Sequence, residues 1–422
     1  MIGLGAVESQ VEGPPARRPV HRDPSILDPD EALRLVVDSS MPIPARAVPL
    51  ADSLGLRLAE EIQADRSYPA FRRAMMDGFA VRVADAGRTV QIVGEAVAGS
   101  ANATDVVPGA CLEIMTGAAC PPSAEAVVQK EHARRCGHQV TLPQHIPCGS
   151  HIAPVGSECL DGRSVLQPGE VVTPLAVAVM ASFGITSVRA RPRPSLAVIT
   201  TGTELIPPTE SPAPQQIRDS NGPMLCALAR RMGLDAPLCL HVNDRPDAIQ
   251  QALELAAACD IVLLTGGVSV GKYDLVPGAL RHYGAEIVFH KVHQKPGKPL
   301  LFARRGCQLL FGLPGNPLAC HLGFSRYVAA AIRRLAGGEP IAPAQRGRLT
   351  SPVGYSGGRT FYCLARATQV GEGWDVLPLD GVSSADIYAC WTANCYLTVP
   401  PHARQLPASA PVAFDWIAGI PG

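Results

Sequence analysis

Between residues 195 and 337 the chain alternates two hydrophobic patterns. Short strand-like runs stand at 196–200, 238–242, 261–264, 286–292, 300–304 and 309–311, of which 261–264 and 309–311 are continuous and apolar. The stretches 224–232, 248–258, 276–283 and 317–335 place apolar residues at helical spacing. This alternation predicts a central α/β domain over residues 191–337, built on a doubly wound, mainly parallel sheet. Ligands of such sheets bind at the loops leaving the carboxyl ends of the strands.

The flanking text differs. Ala32, Leu33, Leu35 and Val36 predict a helix over 28–38, and a second short helix is expected around 50–62. From about 69 to 148 the chain turns to short β-like runs, such as 90–93 and 126–130, separated by Gly and Pro. Helical text returns in the apolar run 175–185, read as a buried helix with Thr173 at its N-cap, Pro174 in the first turn and Gly184 near its end. These changes predict a discontinuous N-terminal domain, 25–66 with 153–190, interrupted by a β-rich inserted domain, 67–152. Residues 1–24 form a polar tail. A Gly/Pro/Ala-rich linker, 336–347, leads into short strands that predict a small C-terminal β-barrel over 338–422.

Composition narrows the function. A length of 422 residues calls for several domains. Lys plus Arg equal Asp plus Glu at 37 each, which removes the broad positive field needed for nonspecific nucleic-acid binding. An anionic ligand must then be met by local groups. The 13 cysteines are odd in number, scattered and without a CxxC pair, so neither a disulfide framework nor a zinc ribbon is expected. Residues 1–21 contain no continuous apolar stretch and the run 175–185 is too short to span a bilayer. A cytoplasmic protein that engages neither membrane nor nucleic acid is expected.

Chemistry gathers at the predicted strand exits. The first α/β strand runs into Thr201-Gly202-Thr203-Glu204, the second is followed by Asp244, and the third opens into Thr265-Gly266-Gly267-Val268-Ser269-Val270-Gly271 and then Asp274. In a doubly wound sheet Glu204, Asp244 and Asp274 converge on one edge, where clustered carboxylates beside a phosphate cradle suit Mg²⁺. Solvated loop acids are the alternative for each taken singly. The amides around Gly266 and Gly267, with the Ser269 hydroxyl, can form a phosphate nest, although paired glycines also mark ordinary turns. Lys291, Lys295 and Lys298 punctuate a Pro-stiffened turn and can face an anion, or simply solvent. Leu313-Pro314-Gly315-Asn316-Pro317 joins a strand to the last helix. A Walker lysine, a G-x-S-x-G elbow, an HExxH pair and a Rossmann G-x-G-x-x-G are all missing, which argues against the corresponding enzyme classes.

Taken in order, these segments resemble the molybdopterin molybdenumtransferase family, the MoeA-type proteins and the gephyrin E domain. The resemblance rests also on Tyr68-Pro69-Ala70-Phe71, Met76-Asp77-Gly78-Phe79-Ala80-Val81-Arg82, Ile114-Met115-Thr116-Gly117-Ala118 and Arg218-Asp219-Ser220-Asn221-Gly222. It implies Mg-dependent insertion of molybdenum from molybdate into adenylated molybdopterin with release of AMP. It also implies a homodimer that receives its substrate from the molybdopterin adenylyltransferase. The resemblance maps metal- and molybdate-handling acids onto Glu204, Asp244 and Asp274, and catalytic lysines onto Lys291 and Lys295. Substrate contacts fall on Asp77, Thr116, Thr201, Gly202, Gly266, Gly267, Ser269, Lys298, Pro314, Pro317 and Ser384. The chain departs from the family pattern at Cys363, where an arginine is expected, and at Ala74, Ala153 and Glu158. A molybdopterin-binding scaffold on the same fold and a tungsten-inserting enzyme are the alternatives.

Overall fold

The computed structural model describes residues 26–100, 104–235, 237–267, 275–355, 357–379, 381–403 and 405–418. Two compact units emerge, one formed by residues 45–191 and the other by residues 1–44 together with 192–422.

The larger unit contains a six-stranded sheet in the order Leu238–Val242, Leu196–Thr201, Ile261–Thr265, Gln308–Leu313, Leu301–Arg305, Glu286–His290. Its first four strands are parallel, and Leu301–Arg305 runs against both its neighbours. All residues of Ile261–Thr265 are buried, which explains why its text is continuous rather than alternating. Leu196 and Val198 point into one core with helix Asn221–Arg231 and the final helical segment. Ala197 and Ile199 point into the opposite core with helices Pro246–Leu255 and Leu275–His282. The sheet is therefore doubly wound, as expected.

Helix Pro29–Ser39, whose Asp28 side chain accepts from the Asp30 amide at 2.9 Å, belongs to the larger unit. Its stripe of Ala32, Leu33 and Val36 enters the same core as Leu196, Phe311 and Ile332, where it finds a larger apolar partner. The helix expected around 50–62 shrinks to one 3₁₀ turn, Leu50–Asp52, followed by strands Arg57–Leu58 and Ile62–Gln63. Gly55, with φ of 77°, turns the chain out of any helix there. The long helix expected over 317–335 is interrupted: Pro317–Gly323 and Ala329–Leu335 flank a π turn, Phe324–Val328.

The C-terminal strands Thr360–Val370, Gly373–Pro378, Gln345–Leu349, Pro411–Trp416 and Cys395–Val399 close into a five-stranded barrel through pairing of the first with the last. Cys363, Ala365 and Ala367 point into the barrel interior, and Tyr362 and Leu364 lie against the α/β core.

In the unit of residues 45–191, a six-stranded sheet runs in the order Ala126–Gln129, Gly78–Val81, Ala110–Ile114, Thr89–Ala96, Gln139–Thr141, Arg134–Cys136. Helix Pro174–Ser182 is capped as expected, the Thr173 hydroxyl accepting from the Ala176 amide at 3.1 Å. It is not a buried helix, however: only Ala176 and Met180 are buried and Leu175 is 79% exposed.

The expectation of unpaired thiols fails at one pair. Cys226, on helix Asn221–Arg231, and Cys239, on the neighbouring strand, are joined by a disulfide. Adjacency in the fold brings these sulfurs together, and a spacing of 13 residues gave no signal of it. Among the described residues no helix is long and apolar enough to cross a membrane.

Candidate functional site

In the parallel part of the sheet Thr201 pairs with Val242, Thr200 with Thr265 and Thr265 with Leu313, so four strands end at one level. A cleft of about 940 Å³ opens above these ends. Its walls include Thr201, Glu204, Asp244, Gly266, Gly267, Pro314 and Pro317. Seven of the residues singled out in the sequence thus come together in space. Ser269 and Asp274, singled out with them, lie outside the described residues.

Hydrogen bonds set the acidic side of the cleft. The Thr201 hydroxyl donates to one oxygen of Asp244, and the Thr203 amide approaches the other at 3.4 Å. The Gly202 amide donates to the Val242 carbonyl at 3.4 Å, which ties the first strand's exit to the second. The Glu204 carboxylate folds back over Gly202, where an added Cβ would lie 2.9 Å from both carboxylate oxygens. Two acids from two strand exits thereby face one space. Among the described residues no group of three or more His, Cys, Asp or Glu forms a metal cluster.

Gly266 holds the opposite wall. Its φ is 102°, and a Cβ there would sit 2.2 Å from the Thr201 carbonyl oxygen. The first and third strand exits therefore approach more closely than any side chain permits. Gly267 follows with φ of 57°. The Gly266 amide donates to the Leu313 carbonyl at 3.4 Å, so of this turn's amides that of Gly267 is the candidate for an anion.

Two further residues position the site. The buried side chain of Asn221, only 8% exposed, donates through Nδ2 to the Thr265 hydroxyl at 3.0 Å and to the Gly315 carbonyl at 2.7 Å. It pins the third strand's exit to the Leu313–Pro317 loop, and its Oδ1 has no partner among the described residues. In sequence it reads only as a helix-start residue. Gln294 is fully buried, accepts from the Tyr327 hydroxyl at 2.5 Å and donates to the Gly297 carbonyl at 3.3 Å. It anchors the Lys295-Pro296-Gly297-Lys298 turn from beneath; an isolated glutamine carries no such signal in sequence.

The lysines do not line the large cleft. Lys295 lines a smaller neighbouring pocket of about 120 Å³ with Ser384 and Cys363, its ammonium 4.7 Å from the Tyr355 ring centroid and 5.6 Å from that of Phe361. The two spaces are linked by Asn316, a cleft residue whose Nδ2 donates to the Ser384 hydroxyl at 2.8 Å. Lys291 stands at φ of 87°, its amide donating to the Leu300 carbonyl at 2.8 Å. The Lys298 carbonyl accepts from Val292 at 2.9 Å. Cys320, 3.7 Å from the Thr265 hydroxyl, is no nucleophile, because burial pushes its thiol up to about 12.

Asp77 and Thr116 belong to the unit of residues 45–191 and meet there. The Thr116 amide and hydroxyl both donate to Asp77 Oδ1, at 2.8 and 2.7 Å, and Lys130 lies 3.6 Å from Oδ2. These bonds, the Thr116 amide foremost, hold the Asp77 carboxyl below its ordinary range, so it stays ionised at neutral pH.

Comparison with known proteins covers most of the chain. Residues 27–184 match the model of the MoeA N-terminal region (domain I and II), and residues 197–334 match that of a probable molybdopterin binding domain. The chain is 34% identical over 387 residues to a molybdopterin molybdenumtransferase of Staphylococcus aureus (strain MRSA252), covering 90% of this chain and 92% of that one. A protein of the same name from Staphylococcus epidermidis (strain ATCC 12228 / FDA PCI 1200) is 32% identical over 388 residues, with the same two coverages, 90% and 92%. Among solved structures, a molybdopterin biosynthesis MoeA protein from Pyrococcus horikoshii OT3 superposes with a TM-score of 0.72 at 25% identity, covering 93% of this chain and 100% of that chain.

The close approach at Gly266 is directly testable. Gly266→Ala should destabilise the protein by about 1–3 kcal/mol, since it forces an L side chain into a positive-φ position against a carbonyl. Gly315→Ala is the control, because its Cβ would meet only ordinary contact at 3.8 Å. Thermal melting should fall for the first variant and hold for the second; equal melting of Gly266→Ala and wild type contradicts the geometry.

Proposed function

Because the chain belongs to the molybdopterin molybdenumtransferase family, whose work is molybdenum cofactor biosynthesis, we propose that it inserts molybdenum from molybdate into adenylated molybdopterin, releasing AMP. The observation that carries this reading is the convergence of Thr201, Glu204, Asp244 and the Gly266–Gly267 turn on one cleft at the carboxyl ends of parallel strands.

The donor set fits Mg²⁺. This cation prefers oxygen ligands and usually takes one or two carboxylates together with substrate phosphates and water. Glu204 and Asp244 supply that pair, and the bond from Thr201 leaves Asp244 with oxygen lone pairs to spare. Asp274 is the third acid proposed for the site. A bound Mg²⁺ would offset negative charge on the pyrophosphate oxygens.

The remaining roles belong to the chain itself. The Gly267 amide is the backbone donor proposed for the phosphates, with Ser269 proposed as a further one, while the Gly266 amide is taken by the Leu313 carbonyl. Thr201 orients Asp244, Gly202 keeps the floor of the cleft open, and Pro314 and Pro317 stiffen its far wall. Lys295 and Ser384, in the smaller pocket, suit an oxyanion the size of molybdate, and Lys291 and Lys298 add positive charge on the same turn. Asp77 fixes Thr116 for contact with substrate. Water that opens the phosphoanhydride releases AMP and leaves the terminal phosphate on molybdopterin; the two dithiolene thiols then bind molybdenum through sulfur as one molybdate oxygen, taking both thiol protons, leaves as water.

The same reading makes the protein a cytoplasmic homodimer supplied by the molybdopterin adenylyltransferase. A candidate face for the second copy lies in the unit of residues 45–191, where Leu54, Val171 and Leu175 are 50%, 41% and 79% exposed.

Three expected outcomes test the proposal. Purified protein with adenylated molybdopterin, Mg²⁺ and molybdate should yield AMP and metal-loaded cofactor, and Asp244→Asn should lower the rate by at least about tenfold through loss of an anionic ligand. AMP without metal transfer would point to a scaffold or hydrolase, and wild-type turnover in the variant would remove Asp244 from the site. Light scattering at micromolar concentration should report a dimer; a monomer contradicts the assembly. The third outcome concerns Cys363, which lines the molybdate-sized pocket in place of the expected arginine. Arg366 does not substitute for it, being exposed on the other face of a strand that pairs without a register shift. Cys363→Arg, which would bury a guanidinium in the apolar barrel interior, should lower the melting temperature without tightening ligand binding, and Arg366→Ala should leave both unchanged. Calorimetry showing the reverse pattern defeats this assignment.

A further inference from the structure

A second cavity, of about 300 Å³, lies between the π turn Phe324–Val328 and the last barrel strand, Pro411–Trp416. None of its lining residues lines the cleft described above. Three of them, Ser325, Arg326 and Trp416, each carry a buried polar atom with no hydrogen-bond partner among the described residues: Ser325 Oγ, Arg326 Nε and Trp416 Nε1. All three atoms can donate. Native proteins leave few buried donors unpaired, and three around one cavity call for a shared acceptor. The π turn that presents Ser325 and Arg326 is a second, independent sign, since such turns within α-helices occur frequently at functional sites.

The charges and walls say what the acceptor is. Arg326 uses Nη2 in an ion pair with Asp30, and its guanidinium lies 4.9 Å from the Tyr362 ring centroid. Its Nε remains without a partner among the described residues, and a guanidinium N–H matches a carboxylate oxygen. Arg333 adds a second cation to the lining, where its Nη1 donates to the Pro340 carbonyl at 3.3 Å. Asp415 is the acid in the lining, and burial pushes its carboxyl above the ordinary range, which weakens its opposition to an anion. Tyr362, Tyr396 and Trp416 supply aromatic wall. We infer that this cavity is a binding site for a small organic carboxylate with an apolar or aromatic body, its carboxylate received by Ser325, Arg326 and Trp416.

Benzoate is a suitable probe on the full-length protein, with benzamide and sulfate as comparators. Calorimetry should show benzoate saturating one site per chain, with both comparators at least about tenfold weaker. Ser325→Ala and Trp416→Phe each remove one donor and leave the Arg326–Asp30 pair in place, and each should weaken benzoate by about tenfold. A crystal structure with benzoate guards against a variant that merely misfolds: the carboxylate should lie within hydrogen-bond distance of the three donors. The inference is overturned if benzoate does not saturate, if sulfate binds as well, or if neither variant alters its affinity. Ordered water bridging the three donors in benzoate-soaked crystals overturns it too.

Discussion

The site depends on one close approach: the turn after the third parallel strand lies against the backbone of the first, with Gly266 where no Cβ can stand. That approach is possible because the register Leu196 to Ile261 through Thr200 to Thr265 brings both strands to the same level before either turns. Two opposed hydrophobic cores hold the register, one containing Leu196 and Val198, the other Ala197 and Ile199. A one-residue slip would exchange these faces, so the packing of the whole α/β domain fixes where Thr201 and Gly266 meet.

Around that contact, polar side chains act as rigid spacers. Asn221 bridges the third exit to the loop at Gly315, and Gln294 holds the lysine turn through the buried hydroxyl of Tyr327. Burial drives the Tyr327 hydroxyl well above its ordinary range, so it remains a hydrogen-bond donor at any physiological pH. Bonds in so dry a setting are costly to break, and they give the loops a precision that loops on their own lack. Asp244 shares in that duty through its bond from the Thr201 hydroxyl.

Much of this was legible in the sequence. The α/β strands were readable because burial on both faces leaves apolar runs, and the cleft that holds Thr201, Asp244 and Gly266 lies at strand exits that the Gly-Gly punctuation marked. What the text hid was tertiary. Helix Pro29–Ser39 shows the same amphipathic stripe whichever core it joins, so its residence beside Phe311 could not be read locally. The π turn at Phe324–Val328 leaves the apolar rhythm of the last helix intact, and the Cys226–Cys239 pairing comes from adjacency of a helix and a strand. Asn221 and Gln294 were missed because a buried amide is recognisable only from the partners that surround it. Exposure misled in the opposite direction at Leu175, an apolar residue in an apolar run that faces outward.

The central claim is that phosphate and a divalent cation share the cleft above Thr201, Asp244 and Gly266. Crystals grown with adenylated molybdopterin and Mn²⁺ in place of Mg²⁺ test it most directly, because the metal can be located by its anomalous scattering. The account predicts a manganese peak coordinated by Glu204 and Asp244, with phosphate oxygens against the Gly267 amide. Phosphate and metal bound elsewhere on the chain, with this cleft holding neither, would contradict it.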